Sequence, residues 1–134
     1  MIGSAMVTKA LKLIKVLAAE ESPTAAEMDD GIDTLNLMLH GWALSGVDLG
    51  WSDITQSDTI NVPDEYLEGI LYALAIRLSS EYPNSQVDPV LVTVAQSRFE
   101  KMQADNYEIP EVVHDQALLD TWAQGYGAYN INNE

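Results

Sequence analysis

The side chains able to do chemistry in this 134-residue chain are few, and their spacing does not serve any familiar site. The two histidines, His40 and His114, belong to no H-x-x-x-H or H-x-x-E pattern, the spacing that sets metal ligands on one helix face. Cysteine is absent, which removes disulfides, thiolate metal sites and thiol nucleophiles. Gly125-Tyr126-Gly127 neither follows a strand nor opens a helix, so it does not form a phosphate loop. No G-x-S-x-G motif occurs, and the serines fall in turns and caps. Asp29-Asp30-Gly31-Ile32-Asp33 resembles the start of a calcium loop, but it keeps a helical period and lacks the later glutamate. Asp29 and Asp33 can be drawn as an acid and a base, yet with 21 Asp+Glu in the chain such pairs arise by chance. The expectation is a protein that is not an enzyme and takes no cofactor and no metal.

Charge narrows the partners. Six Lys+Arg stand against 21 Asp+Glu, a formal net charge of -15, and a surface of that sign repels nucleic-acid phosphates. Sequence-specific DNA binding is not expected, although lining a channel through which DNA passes without sticking is compatible with it. An apolar content of 47% is that of a folding chain rather than a disordered one. No apolar run reaches about 18 residues, the length of a membrane span. In residues 7–19 the lysines are interleaved with the leucines rather than segregated, so this stretch is read as a helix of the domain, not a signal peptide. Residues 1–6 are given no structural role.

The elements are organised around residues 63–82. Leu67, Ile70, Leu71, Leu74 and Leu78 follow the spacing of a buried helical stripe, and Tyr66, Gly69, Ala73 and Ile76 make a second, smaller-residue strip. A helix apolar on two sides needs cover on two sides. Pro63 suits a helix start, Asp64 and Glu65 the positive end of its dipole, and Arg77 the negative end. Helix one is expected over residues 7–19, burying Val7, Ala10, Leu11, Ile14, Leu17 and Ala18. Thr24-Ala25-Ala26-Glu27 is a capping box opening helix two, which runs to Leu44 with Met28, Ile32, Leu35, Leu39 and Trp42 as its seam. Gly46 fits a left-handed helix end. A short loop should make helices one and two an αα-hairpin. Residues 47–62 are irregular, with β-prone runs at 51–55 and 59–62 read as a small hairpin or extended loop. Helix four starts at Asp88-Pro89, ends near Ala104, and turns Val92, Ala95, Phe99 and Met102 inward. Residues 107–134 change character, with one or two helical turns about Leu118, Leu119 and Trp122 and then a Gly-, Asn- and Tyr-rich end. Such a segment packs no core alone and is expected to be disordered or borrowed by a partner.

Half of the positive charges, Lys9, Lys12 and Lys15, fall on helix one. They form either a solvated polar face or a docking surface for an acidic neighbour, most simply a second copy of this chain. Together these features describe a mainly α, four-helix-bundle-like domain over residues 1–106, with a hairpin or loop at about 47–62 and a C-terminal extension at 107–134, and they suit a subunit of an assembly.

Residues 10–27, 33–42 and 74–82, taken in order and spacing, resemble the head–tail connector proteins of tailed bacteriophages. They are most similar to the tail accessory, or packaged-DNA stabilisation, factors of short-tailed phages of the P22 type. The resemblance implies a helical bundle with a protruding loop or hairpin and a C-terminal arm. It implies a ring, typically of twelve copies, beneath the portal protein of the virion. Such a ring is assembled in the host cytoplasm, continues the DNA channel, retains packaged DNA and carries further tail proteins. Residues 116–134 would then be the portal-binding arm, anchored by Leu118, Leu119, Trp122, Tyr126, Tyr129 and Ile131. Subunit contacts would fall at Lys9, Lys12 and Lys15 and, in the hairpin, at Trp51, Ile54 and Ile60. Two rivals are a tail-associated cell-wall hydrolase, which would need a buried carboxyl beside an aromatic in a cleft, and a small acidic inhibitor or DNA mimic. The mimic would need carboxylates at phosphate-like spacing on one face.

Overall fold

A computed structural model describes residues 1–106, and in them four helices: α1 (Gly3–Leu13), α2 (Ala25–Leu44), α3 (Asp64–Ser79) and α4 (Pro89–Asp105). The expected arm, with His114, Leu118, Leu119, Trp122, Tyr126, Tyr129 and Ile131, lies outside the described residues.

The third helix is the hub. α3 packs against α1, α2 and α4, whereas α4 lies mainly on α3 and reaches α2 through the Trp42–Phe99 contact. Ile70, Leu74 and Leu78 are fully buried, and burying each contributes about 1.5–3 kcal/mol. Its second strip is covered by α4 at Gly69, where an added Cβ would stand 2.8 Å from Met102 Cε and 2.9 Å from Arg98 Cβ. On α4 the inward residues are Leu91, Ala95 and Met102, with Phe99 half-buried; Val92, expected inside, is 42% exposed. Ala95, Phe99 and Met102 keep their expected places, and only Val92 gives way, to Leu91, which lies four before Ala95 and is the larger side chain to bury.

The helix ends follow local chemistry. Thr24 Oγ1 accepts from the Glu27 N–H at 3.2 Å, and Asp88 Oδ1 accepts from the Val90 N–H at 2.9 Å, with Pro89 opening α4. The capping box is completed on one side only, because Glu27 Oε2 is buried without a partner. Gly46 takes φ +89 just past α2, in the left-handed region.

Helix one differs from expectation at both ends. It begins at Gly3 and stops at Leu13, and Lys15 at φ 64 takes the left-handed position usually held by glycine. Val16 N–H donates to Leu11 C=O and Lys15 N–H to Lys12 C=O, the paired bonds of a Schellman stop. Leu17 is still buried, so the apolar period runs on after the helix has ended, while Ala18 is exposed. The connection to α2 is therefore the long stretch 14–24, not a short loop.

Residues 1–6 do carry structure. Gly3 and Met6 are buried, Met1 C=O accepts from Ile60 N–H, and Ile2 pairs with Thr59 in an antiparallel bridge. That isolated bridge replaces the expected hairpin, for no strand forms among the described residues. Residues 47–62 are irregular chain laid across α1 and α2, with Val47 and Ile60 as buried anchors.

Candidate assembly surfaces

Asn36, on α2, holds the irregular segment in place. Its Oδ1 accepts from Trp51 Nε1–H at 3.1 Å and from Ile54 N–H at 3.0 Å, and its Nδ2 donates to Ile54 C=O at 3.1 Å. One turn further along the same helix face, His40 Nε2–H donates to the Asp53 carboxylate at 2.6 Å. The exposed histidine is thus a loop tether. Sequence reasoning missed Asn36; the available signal was a polar residue between Leu35 and Leu37, paired at i, i+4 with His40. Asn36→Ala should destabilise the fold by about 1–3 kcal/mol, since it leaves part-buried donors of Trp51 and Ile54 unpaired. Asn36→Asp keeps both acceptor bonds but sets a carboxylate oxygen against Ile54 C=O in place of the donating Nδ2, so it should destabilise as well. Denaturant unfolding followed by tryptophan fluorescence measures both.

The segment in turn caps α1, whose N-cap Ile2 offers no side-chain bond. Gly3 N–H donates to Asp58 C=O and Ser4 N–H to Gln56 C=O, each at 2.9 Å. Asp58 keeps that turn closed, because its carboxylate accepts from the Thr55 N–H at 2.7 Å and the Thr55 hydroxyl at 3.0 Å. These bonds hold its pKa below the ordinary 3.8. A depressed carboxylate stabilises the turn fully above pH 3.8, and the stabilisation is lost as pH falls through the folded-state value. An acid titration followed by NMR should move the Thr55, Gly3 and Ser4 amides together, and Asp58→Asn should abolish that concerted step.

Among the described residues the ion pairs are His40–Asp53 and a half-exposed Arg98–Glu68 contact at 3.7 Å, the latter worth at most about 1 kcal/mol. Lys9, Lys12 and Lys15 are in neither. Lys9 and Lys12 border a shallow depression with Ser4, Ala5 and Thr8 on the outer side of α1, and Lys15 is exposed on the turn after it. Trp51 and Ile54 are half-buried against α2. Ile60, expected at a subunit contact, is 3% exposed and belongs to the chain's own core.

Two apolar surfaces that the sequence reading did not single out lie open. On α2, Leu37 is 73% and Leu44 93% exposed, one above the other at i, i+7. Gly41 lies between them, and a Cβ there would meet nothing within 4 Å. The other is a trough of about 410 Å³ where Trp42 of α2, Ala73 and Ile76 of α3, and Val92 and Phe99 of α4 converge. Trp42 and Phe99 meet edge to face there, with centroids 5.0 Å apart.

Among the described residues no three His, Asp or Glu side chains could hold a metal, and no described helix is long and apolar enough to cross a membrane. The open surface of the described residues includes a cationic stretch on α1, exposed leucines on α2 and an aromatic trough, on an anionic body. A family model described as P22 tail accessory factor matches residues 4–117. The chain belongs to the P22 tail accessory factor family. No curated protein matches it. Membership makes the chain a phage tail accessory protein and a structural component of the virion, in keeping with a non-enzymatic reading. The family match takes in all four helices and the 51–62 segment, and it extends through Ala117 into the stretch beyond α4. Leu118, Leu119, Trp122, Tyr126, Tyr129 and Ile131 lie past its end.

Proposed function

We propose that copies of this chain form a ring, of twelve subunits, under the portal of a phage head. The ring joins head to tail, continues the DNA channel, retains packaged DNA and receives further tail proteins. It is built in the host cytoplasm and remains in the virion neck. The family match over residues 4–117 carries the reading.

Three physical features support it. Exposed leucines and an open aromatic trough are surface that a solitary soluble domain has little reason to keep. The cationic face of α1 differs in kind from the acidic remainder, and contacts between unlike faces repeated about an axis close into rings. A net charge of -15 suits a channel that must pass DNA without holding it, since few phosphate contacts release counterions. In this reading residues 107–134 are the portal-binding arm, with the apolar and aromatic side chains of 118–131 as anchors.

Native mass measurement with and without portal rings tests the proposal. The intact chain should add to the ring in a fixed stoichiometry. A chain ending at Val113 should keep its helical circular dichroism and lose portal attachment entirely. Attachment by the shortened chain would move the docking surface into the helical domain, and an intact chain that ignores portal rings would end the ring reading.

A further inference from the structure

We infer that the outer face of α2 receives the outer face of α1 from a second copy, with the two helices antiparallel. The inference deepens the ring reading and rests on it for the expectation that copies meet.

The two faces are complementary from end to end. The outer face of α2 is acidic in its first half, where Asp29, Asp30 and Asp33 are exposed, and apolar in its second half, at Leu37, Gly41 and Leu44. The outer face of α1 has the opposite order. The N-cap Ile2, 43% exposed, and exposed Ala5 come first; Lys9 and half-buried Lys12 follow, with exposed Lys15 on the turn just past the helix end. Laid antiparallel, Ile2 falls on Leu44, Ala5 on Gly41, the Lys9 stem on Leu37, and Lys12 on Asp33, with Lys15 beside Asp30. Ala5, Lys9 and Lys12 on α1 and Asp30, Asp33, Leu37, Gly41 and Leu44 on α2 advance by three or four residues per step, the spacing of one helix face. Small Ala5 opposite Gly41 lets the axes approach closely, and the lysine stems cover leucine while their ammonium groups reach the carboxylates.

The same register explains why the partner is a copy of this chain. Lys9 and Lys12 lie on α1 and Lys15 on the turn after it, in a protein otherwise strongly anionic, and neither face makes an ion pair among the described residues. One pairing satisfies both faces. It uses a different surface on each partner, so it is heterologous and propagates around an axis rather than stopping at a dimer.

Because the chain has no cysteine, thiol trapping is clean. A disulfide requires Cα atoms within about 7 Å. A mixture of Ala5→Cys and Gly41→Cys chains, oxidised at high protein concentration, should give a disulfide-linked heterodimer, and neither variant alone should cross-link. A double variant carrying both should give a ladder of linked copies. Homodimers of Gly41→Cys alone would mean that α2 pairs with itself. No cross-link in the mixture would mean that the faces are covered by residues 107–134 or by another protein. Either result overturns the inference. Charge reversal supplies the second measurement. Lys9→Glu/Lys12→Glu and Asp30→Lys/Asp33→Lys should each weaken self-association by about tenfold or more, and mixing the two should restore it. Failure of the mixture to associate also overturns the pairing. Portal binding is read separately: a chain that binds portal rings but forms no A5C–G41C link keeps the ring reading and loses this interface, and the reverse result does the opposite.

Discussion

Leu74→Ala should lower the unfolding free energy by about 3–5 kcal/mol, the largest loss expected from any single truncation in the domain. Leu74 is fully buried on α3, the helix that touches the other three. A cavity there cannot be filled by moving one neighbour inward without parting it from the rest, so relaxation is small and the full cavity cost applies. With a total stability of about 5–15 kcal/mol typical of such domains, one substitution removes a large share. Denaturant unfolding should show a lower midpoint with little change in slope. Leu44→Ala, 93% exposed on α2, should move stability by no more than about 0.5 kcal/mol in the same assay. Equal losses from the two would refute the placement of α3 at the centre.

A second large effect is expected at Gly31, where two opposed terms can be weighed. In a helix interior, alanine is favoured over glycine by about 1 kcal/mol. Here an added Cβ would stand 2.3 Å from Val7 Cγ1, and Val7 is fully buried and β-branched. Val7 therefore has no free rotamer into which to retreat, and overpacking of this kind costs about 1–3 kcal/mol, more where the neighbour is stiff. The clash should win, leaving Gly31→Ala destabilised by about 1–2 kcal/mol net. The pair Gly31→Ala/Val7→Ala should be more stable than the sum of its singles, because removing the Val7 methyls opens the space that the new methyl needs. Strict additivity in that double-mutant cycle would show that α1 and α2 do not cross at these residues.

Both effects depend on closeness between helices, and that marks where sequence reading stops. The boundaries of α2 were legible as Ala25 to Leu44 because Thr24 and Gly46 act within one turn of the chain. Asp88 and Pro89 announced α4 in the same way. The α3 stripe was legible because it is apolar on more sides than one neighbour could cover. The stop after Leu13 was not legible, because a lysine holds the left-handed position and the apolar period continues through Leu17. Nor was the role of residues 1–6, whose bonds go to chain more than fifty positions away.

The candidate surfaces divide along the same line. The lysine run on α1 was visible, since three cations in an acidic chain are conspicuous at any spacing. The period set Leu35 and Leu39 in the seam of α2 and left Leu37 and Leu44 out of it, but it did not show that these two would stand open to such an extent, because no local signal says what lies over the opposite face. The tether from Asn36 to Trp51 and Ile54 was equally hidden, since a lone asparagine mid-helix has no local partner to reveal it.

By itself, then, the sequence determined the helices that local caps and periods define, the anionic character, the want of any spaced reactive set, and the family likeness that the match over residues 4–117 bears out. Tertiary structure alone decided the tether at Asn36, the stop after Leu13, and how far Leu37, Leu44 and the trough stay open among the described residues. The reason is physical: caps and periods act over a few residues, whereas burial is a property of whatever chain segment happens to lie opposite.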